Sequence, residues 1–492
     1  MRRSNHPMTE RKQSSVRRLG DMWIPRAGLF TIICILLTVC ICFAEQSPAT
    51  VPLYNGFFDD NIVHEINIEI SEEDWQDLRD NAVEKKRYEV SAIIDGERFE
   101  EVVLSTKGNA SLSRVAAMGS DRYNFKLNFN KHDKDRTYYG LDKMKLANMY
   151  NDPSYMRDYL SYRIIGEAGG YAPLASYVWV EINGEDFGLY LAVEEIDKSW
   201  ISRTQNDKGK LYKPDPAWVD SSNKVPGLTQ KDAKALEYFL TKRAYFGDDD
   251  AGADLLYSGE NPESYSAIFD NAVVKAKEDD QLRLIQSLKV LKEQKNLSSV
   301  LNTGEVIRYF VGHNFTMNYD SYTGITAHNY YLYEENGMLS MAAWDYNDGF
   351  GLLISALHPE LTMTDIVNWG IDTPLCDVEL SQRPMWEWIV ENDDYLQEYH
   401  AAMEELLGKY FKSGRFIQEI DEVYHLIRQY VYKDPTQFYS TDRFEREVES
   451  TRAFCVKRAE SIQRQLDGVL SADTMAQEAE AKVDTSDVVI TH

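Results

Sequence analysis

An α+β fold is predicted by three observations. Short stretches of alternating apolar and polar residues recur up to about residue 194, helical periodicity takes over from Glu278, and Asp95-Gly96 and Asn183-Gly184 stand between strand-like segments as hairpin turns. A small, mostly antiparallel sheet with one prominent helix is therefore expected first, and a mostly helical half after it.

The elements follow in order. Residues 62–70 read as a strand, and Ser71 before Glu72, Glu73 and Asp74 reads as the N-cap and acidic first turn of a helix. Strands are predicted over 87–94, 98–106 and 122–130, the last with Tyr123, Phe125, Leu127 and Phe129 alternating against polar neighbours. Asp152-Pro153-Ser154 opens a helix that runs to about Ala168 and stops at Gly169-Gly170. Strands 176–182 and 187–194 form the Asn183-Gly184 hairpin. The segment 205–265 is polar and irregular and is expected to be an insertion. Leu282, Ile285, Leu288 and Leu291 mark one face of the next helix, and a second helix spans about Glu305 to Met317. Strands 329–334 and 338–344 flank Glu335-Asn336-Gly337. The final helix repeats Phe444, Val448, Thr451, Cys455, Ala459, Ile462 and Leu466, a stripe too short for a coiled coil. The acidic tail 471–492 lacks a sustained apolar face and is expected to be disordered.

The composition bounds the function. The chain has 492 residues, 43% hydrophobic and 12% aromatic, enough for a large core in one two-lobed domain or two domains. Its net charge is −27, and because residues 1–44 hold seven basic and two acidic side chains, the remainder carries 46 against 78, or −32. Such a body repels phosphate backbones, which excludes nucleic acid as a partner and favours basic proteins or cations. Of five cysteines, Cys34, Cys40 and Cys42 fall in one apolar stretch, leaving Cys376 and Cys455 with no disulfide framework or zinc-type spacing.

No charged residue interrupts 27–44, and seven basic side chains stand in 1–26. That asymmetry predicts a cytoplasmic basic segment and a transmembrane anchor or signal sequence, with the body outside the cytoplasm, or secreted if the segment is cleaved.

Two constellations carry chemistry. Lys107-Gly108-Asn109-Ala110-Ser111-Leu112-Ser113 is a small-residue, hydroxyl-rich segment that lets backbone N–H groups approach phosphates, with Lys126 on the next strand as a further cation. Asp320 sits in a polar turn after a helix, and Asp345 ends a hydrophobic strand. The order helix, aspartate, strand, turn, strand, aspartate is how protein-kinase-like folds place a base and a metal-binding carboxylate about a transferring phosphoryl group. Asn329 and Asn347 add oxygen ligands suited to Mg2+ or Mn2+. His313 and His328 have no second histidine at i+4 and read as structural.

These blocks resemble one family. KGNASL (107–112), RYNFKLNF (122–129), YGLDKMKLAN (139–148), DPSYMRDYLSYRI (152–164), INGEDFGLYLAVEEID (182–197) and WDYNDGFG (344–351) are similar to the CotH, or spore coat protein H, kinase family over about residues 60–470. The resemblance implies an atypical protein-kinase-like bilobal fold, with 53–200 as the nucleotide-binding N-lobe and 201–470 as the C-lobe. It also implies ATP and Mg2+ or Mn2+ as cofactors and a basic, Ser-rich protein substrate. By the same resemblance Asp320 is the catalytic base, and Asp345, with Asn329, the metal ligand. The nucleotide lysine is Lys126 or Lys107, with Gly108 and Ser111 beside the phosphates and Glu194 and Glu195 at a hinge. The helix acid is Asp158 or Glu167. The expected function is a Ser/Thr protein kinase in spore coat or cell-surface assembly. The alternative is a cell-surface adhesion protein that keeps the fold without catalysis, as some fungal relatives act as host-binding invasins.

Overall fold

The computed structural model describes residues 53–59, 61–205, 208–220, 234–246, 250–486 and 488. The segments 1–26 and 27–44 lie outside them, and among the described residues no helix is long and apolar enough to cross a membrane.

The first half closes on itself. Strands β1 (His64–Glu69), β2 (Tyr88–Ile94), β3 (Glu97–Lys107), β4 (Asn124–Asn128), β5 (Lys143–Ala147), β6 (Ala175–Ile182) and β7 (Glu185–Glu194) form a barrel in the order β1-β2-β3-β4-β5-β7-β6. Every pairing is antiparallel except β1 with β6, which run parallel from His64 opposite Val178 to Ile68 opposite Ile182. The sequence predicts a small antiparallel sheet, and the structure adds both the closure and the strand Lys143–Ala147. The alternation holds the barrel together: Ile66, Ile68, Val90, Leu104, Phe125, Leu127, Met144, Leu146, Val178 and Val180 turn inward and form one apolar cluster. Ser71 caps the helix Glu72–Asp80, its hydroxyl accepting from the Asp74 N–H at 3.1 Å. Asn183 and Gly184 take positive φ of 54° and 80°, as the hairpin turn requires.

The helix Arg157–Ala168 joins the halves. It starts later than predicted because Asp152 is spent on the turn before it, accepting from the Ser154 and Arg157 N–H groups at 3.1 and 2.8 Å. It packs against the helix Thr303–Thr316, and most of its side chains are buried.

A second sheet has the order β10 (Met338–Ala343), β9 (Tyr330–Glu335), β8 (Lys210–Tyr212). Strand β8 comes from the segment expected to be a polar insertion, so part of that segment belongs to the core. Helices Glu278–Glu293, Asp393–Leu406, Arg415–Lys433 and Thr441–Leu466 complete this half. On the first of these Ile285, Leu288 and Leu291 are buried as expected, whereas Leu282 is 44% exposed and Leu284 is buried instead.

The tail differs from expectation. Val483 and Thr485 are buried, and Asn368 Oδ1 accepts from the Val483 N–H at 2.9 Å while its amide donates to the Val483 carbonyl at 3.0 Å. Composition registered the charge and missed Val483 and Val488, two apolar side chains that are buried.

A clamp ties the barrel to the segment after the Arg415–Lys433 helix. Arg122 and Asp434 are both fully buried and paired at 2.8 Å, and Asp434 also accepts from the Leu189 N–H at 2.9 Å. Gly188 stands over the pair at φ 141°, where a side chain would collide with both.

Candidate functional site

Strand register assembles the site. On adjacent strands Lys126 faces Lys145, and Ser105 faces Lys126, so β3, β4 and β5 bring lysines to one face of the barrel wall. Strand β3 ends at Lys107, and Gly108 at φ 99° turns the chain into a short helix, Ala110–Ala117, so the segment expected as a loop is a strand-to-helix turn. A Cβ on Gly108 would lie 2.7 Å from Ser111 Oγ, which makes glycine the residue this close approach demands.

A narrow cleft of about 70 Å3 is lined by Lys107, Gly108, Ser111, Lys145, Asp158, Asp345 and Asn347. The Trp344 ring lies 4.5 Å from the Lys107 ammonium and 5.2 Å from that of Lys145. Two ion pairs bridge it, Lys107 with Glu195 and Lys145 with Asp345, the latter at 2.7 Å. The first joins two residues expected at the nucleotide site, but the lysine that meets Asp345 is Lys145, which the sequence reading did not single out. It lies in the segment KMKLA, with Lys143 two residues before it on the same face. Lys126 is its cross-strand neighbour and does not line the cleft.

The acids separate by environment. Burial opposes ionisation of Asp345, yet the Lys145 ammonium holds its carboxyl at about 2. Asp320 is pushed well above the usual carboxylate range by burial and by the neighbouring Asp348 and Asp345 carboxylates. Two aspartates so divided are suited to different tasks, one a permanent anion for a cation and the other a group that takes up a proton. Asn318 couples them: its amide donates to the Asp345 carbonyl at 3.1 Å, and its side-chain oxygen accepts from the Asp320 N–H at 3.2 Å.

Asn329 takes φ 54° and donates to Asp320 Oδ2 at 3.0 Å, and His328 Nε2 lies 3.5 Å from Oδ1. Asn329, expected as a metal ligand, thus has its amide on the Asp320 carboxylate. His313 is buried between the Tyr346 and Thr323 hydroxyls at 2.7 Å each, and burial lowers it to about 3, so it is neutral and structural.

The two helix acids part company. Asp158 accepts from the Tyr346 N–H at 2.7 Å, and burial raises it to about 6 against the pull of Lys145. Glu167 sits at the far end of the helix, paired with Arg415 at 2.9 Å. The hinge glutamates part likewise. Glu195 partners Lys107, whereas Glu194 is spent inside the protein: it takes the Tyr54 hydroxyl at 2.7 Å, Arg203 at 2.6 Å and the Leu174 N–H at 3.1 Å. The Glu194 carboxylate therefore has a structural use, a correction to its expected place among nucleotide-binding side chains.

A lysine-lined cleft that holds the ionised Asp345, with the protonatable Asp320 close to that carboxylate, can neutralise a polyanion, hold a hard cation on oxygen ligands and relieve a hydroxyl of its proton. The family model for the CotH kinase protein matches residues 104–462, well over half of the chain, and the chain belongs to that family. It is similar to the inner spore coat protein H of Bacillus subtilis (strain 168), at 24% identity over 340 residues that cover 67% of this chain and 80% of that one.

Proposed function

We propose that this chain is a protein kinase that transfers the γ-phosphoryl of ATP to serine or threonine hydroxyls of a basic, Ser-rich protein, in a bilobal kinase-like fold whose N-lobe is the barrel. The observation that carries the reading is the Lys145–Asp345 ion pair in the cleft, with the Asp320 carboxylate near enough to feel the Asp345 charge: a cation, a metal ligand and a base for phosphoryl transfer.

The donor set fits the implied cofactors. Asp345 and Asn347 offer oxygen donors of the kind Mg2+ and Mn2+ take, and Lys107, Lys145 and the Gly108–Ser111 turn offer cations and N–H groups to phosphates. A bound divalent ion would neutralise charge on the transferring group. Lys145 would exchange Asp345 for phosphate oxygens, and Lys107 would likewise leave Glu195, which opens the narrow cleft. Asp320, held by Asn329, would orient the acceptor hydroxyl and take its proton. Asp158 would hold Lys145 in place when Asp345 turns to the metal. The remaining expectations, export and anchoring through 27–44 and a role in spore coat or surface assembly, are part of this proposal and rest on the basic-then-apolar N-terminus and on the spore coat relative.

The test is phosphate transfer from labelled ATP, with Mg2+ or Mn2+, to the protein itself and to a Ser-rich basic peptide. Incorporation that Asp345→Ala abolishes supports the reading. Absence of incorporation by the folded protein, with no thermal shift from ATP and metal, overturns it in favour of a non-catalytic binding protein.

A further inference from the structure

A second group of chemistry-bearing side chains lies apart from the cleft. His358 ends the short helix Leu352–Leu357, and Cys376 and Asp377 follow eighteen residues later, yet His358 Nε2 is 3.0 Å from Asp377 Oδ2 and Cys376 Sγ is 3.4 Å from the same oxygen. One donor atom of each of the three lies within 4.8 Å of the other two. Four-coordinate zinc holds nitrogen and oxygen at about 2.0–2.2 Å and thiolate sulfur at about 2.3 Å, so its ligand atoms stand roughly 3.2–3.8 Å apart. The observed separations come within a few tenths of an ångström of that geometry or reach it by a small contraction.

We infer that His358, Cys376 and Asp377 form a binding site for a zinc-class divalent cation, separate from the phosphoryl-transfer cleft.

Three further features agree. The second ring nitrogen of His358, Nδ1, meets Glu360 Oε1 at 3.1 Å, the carboxylate support that metal-bound histidines use to fix ring and tautomer. Cys376 is buried but faces an imidazole and a carboxylate, whereas Cys455 is buried within an apolar helix face. Asp377 takes φ 57°, a conformation disfavoured for a side-chain-bearing residue, and it turns the carboxylate back between histidine and thiol. Three protein ligands leave a fourth position, and His358 and Asp377 are both about one-fifth exposed, so a water completes the set.

The donor set separates this site from the first. A thiolate and an imidazole select zinc-class ions over Mg2+, while the oxygen donors around Asp345 select the reverse. The site would also brace the catalytic turn, because the Cys376 N–H donates to the Thr323 carbonyl at 3.1 Å and the Thr323 hydroxyl meets His313.

The test uses the reduced full chain with Cys34, Cys40 and Cys42 replaced by serine, stripped with a chelator and titrated with Co2+ and then Zn2+. The expected result is one equivalent of Co2+ with a thiolate-to-cobalt charge-transfer band that Zn2+ erases. That band is lost in His358→Ala and Cys376→Ser, weakened about 10–100-fold in apparent affinity in Glu360→Ala, and unchanged in Asp345→Asn. No thiolate–cobalt band in the folded parent, or a band that persists in His358→Ala, overturns the inference. His358 is partly exposed, so that variant decides the matter even if Cys376→Ser does not fold.

Discussion

Lys145 and Asp345 meet at 2.7 Å across 200 residues of chain, one from the barrel wall and the other from the turn after β10. The pair holds Asp345 ionised at neutral pH and keeps a buried ammonium charged. Replacing Lys145 by methionine keeps the strand packing and removes the cation. Phosphoryl transfer is expected to fall by about 10²–10³-fold, measured as initial rate with labelled ATP. Lys126→Met is expected to cost much less, because Lys126 lies outside the cleft lining. Equal losses in the two variants would remove Lys145 from its assigned place.

The base and the second lysine predict a pH profile. Asp320 is raised, so its basic form accumulates only as pH rises, giving kcat/KM an ascending limb well above the usual carboxylate range. Burial, with the nearby Lys145, lowers Lys107 to about 8 although Glu195 opposes this. If Lys107 meets the nucleotide as proposed, that cation is lost above that pH, and kcat/KM should descend there. Asp320→Asn should lose about 10²–10⁴-fold in rate, and Lys107→Arg should move the descending limb upward.

Asp158 is predicted to limit stability. Its carboxyl is raised in the folded state to about 6 by burial, above its unfolded value near 4. Such a group favours the fold fully below pH 4, and the contribution is lost as pH rises through about 6. The melting temperature of Asp158→Asn relative to the parent should therefore climb between pH 4 and 6.5. Glu195 has the opposite sign: Lys107 holds it at about 2 against burial, so its contribution is present above pH 4.5 and lost towards pH 2. A melting temperature difference flat with pH for Asp158→Asn would refute the assignment.

Removing one member of the buried clamp should be severe. Asp434→Ala leaves the fully buried Arg122 without its carboxylate and the Leu189 N–H without an acceptor, a loss of about 3–5 kcal/mol by chemical denaturation. Arg415→Ala, which breaks the more exposed Arg415–Glu167 pair, should cost about 1 kcal/mol or less.

Much of this was legible in the chain. Strands whose faces alternate, the capped helix at Ser71, the Asn183-Gly184 hairpin, and the two aspartates at the ends of the β9–β10 unit were all visible because each is a local pattern. Lys145 was not, since in the five-residue strand Lys143–Ala147 its alternation with Met144 and Leu146 reads as an ordinary solvated lysine face, and only the distant Asp345 gives that lysine a buried partner. Barrel closure was hidden for the same reason: the β1–β6 pairing joins residues more than 110 positions apart. The fate of Glu194 depended on Arg203 and Tyr54 arriving from either side, which spacing does not reveal. His358 and Cys376 sit at no recognised interval, and only the return of the chain past the catalytic turn unites them.

Because the seven strands close, the barrel offers no unpaired rim of N–H and C=O groups. A polypeptide cannot be recruited there by extending the sheet, a route that many peptide-binding proteins use. At the barrel, recognition of a protein client would instead rest on side-chain charge, on a body carrying −32. Capture would then be fast, tolerant of client sequence and weakened by salt, with the choice of hydroxyl left to the few residues around Asp320.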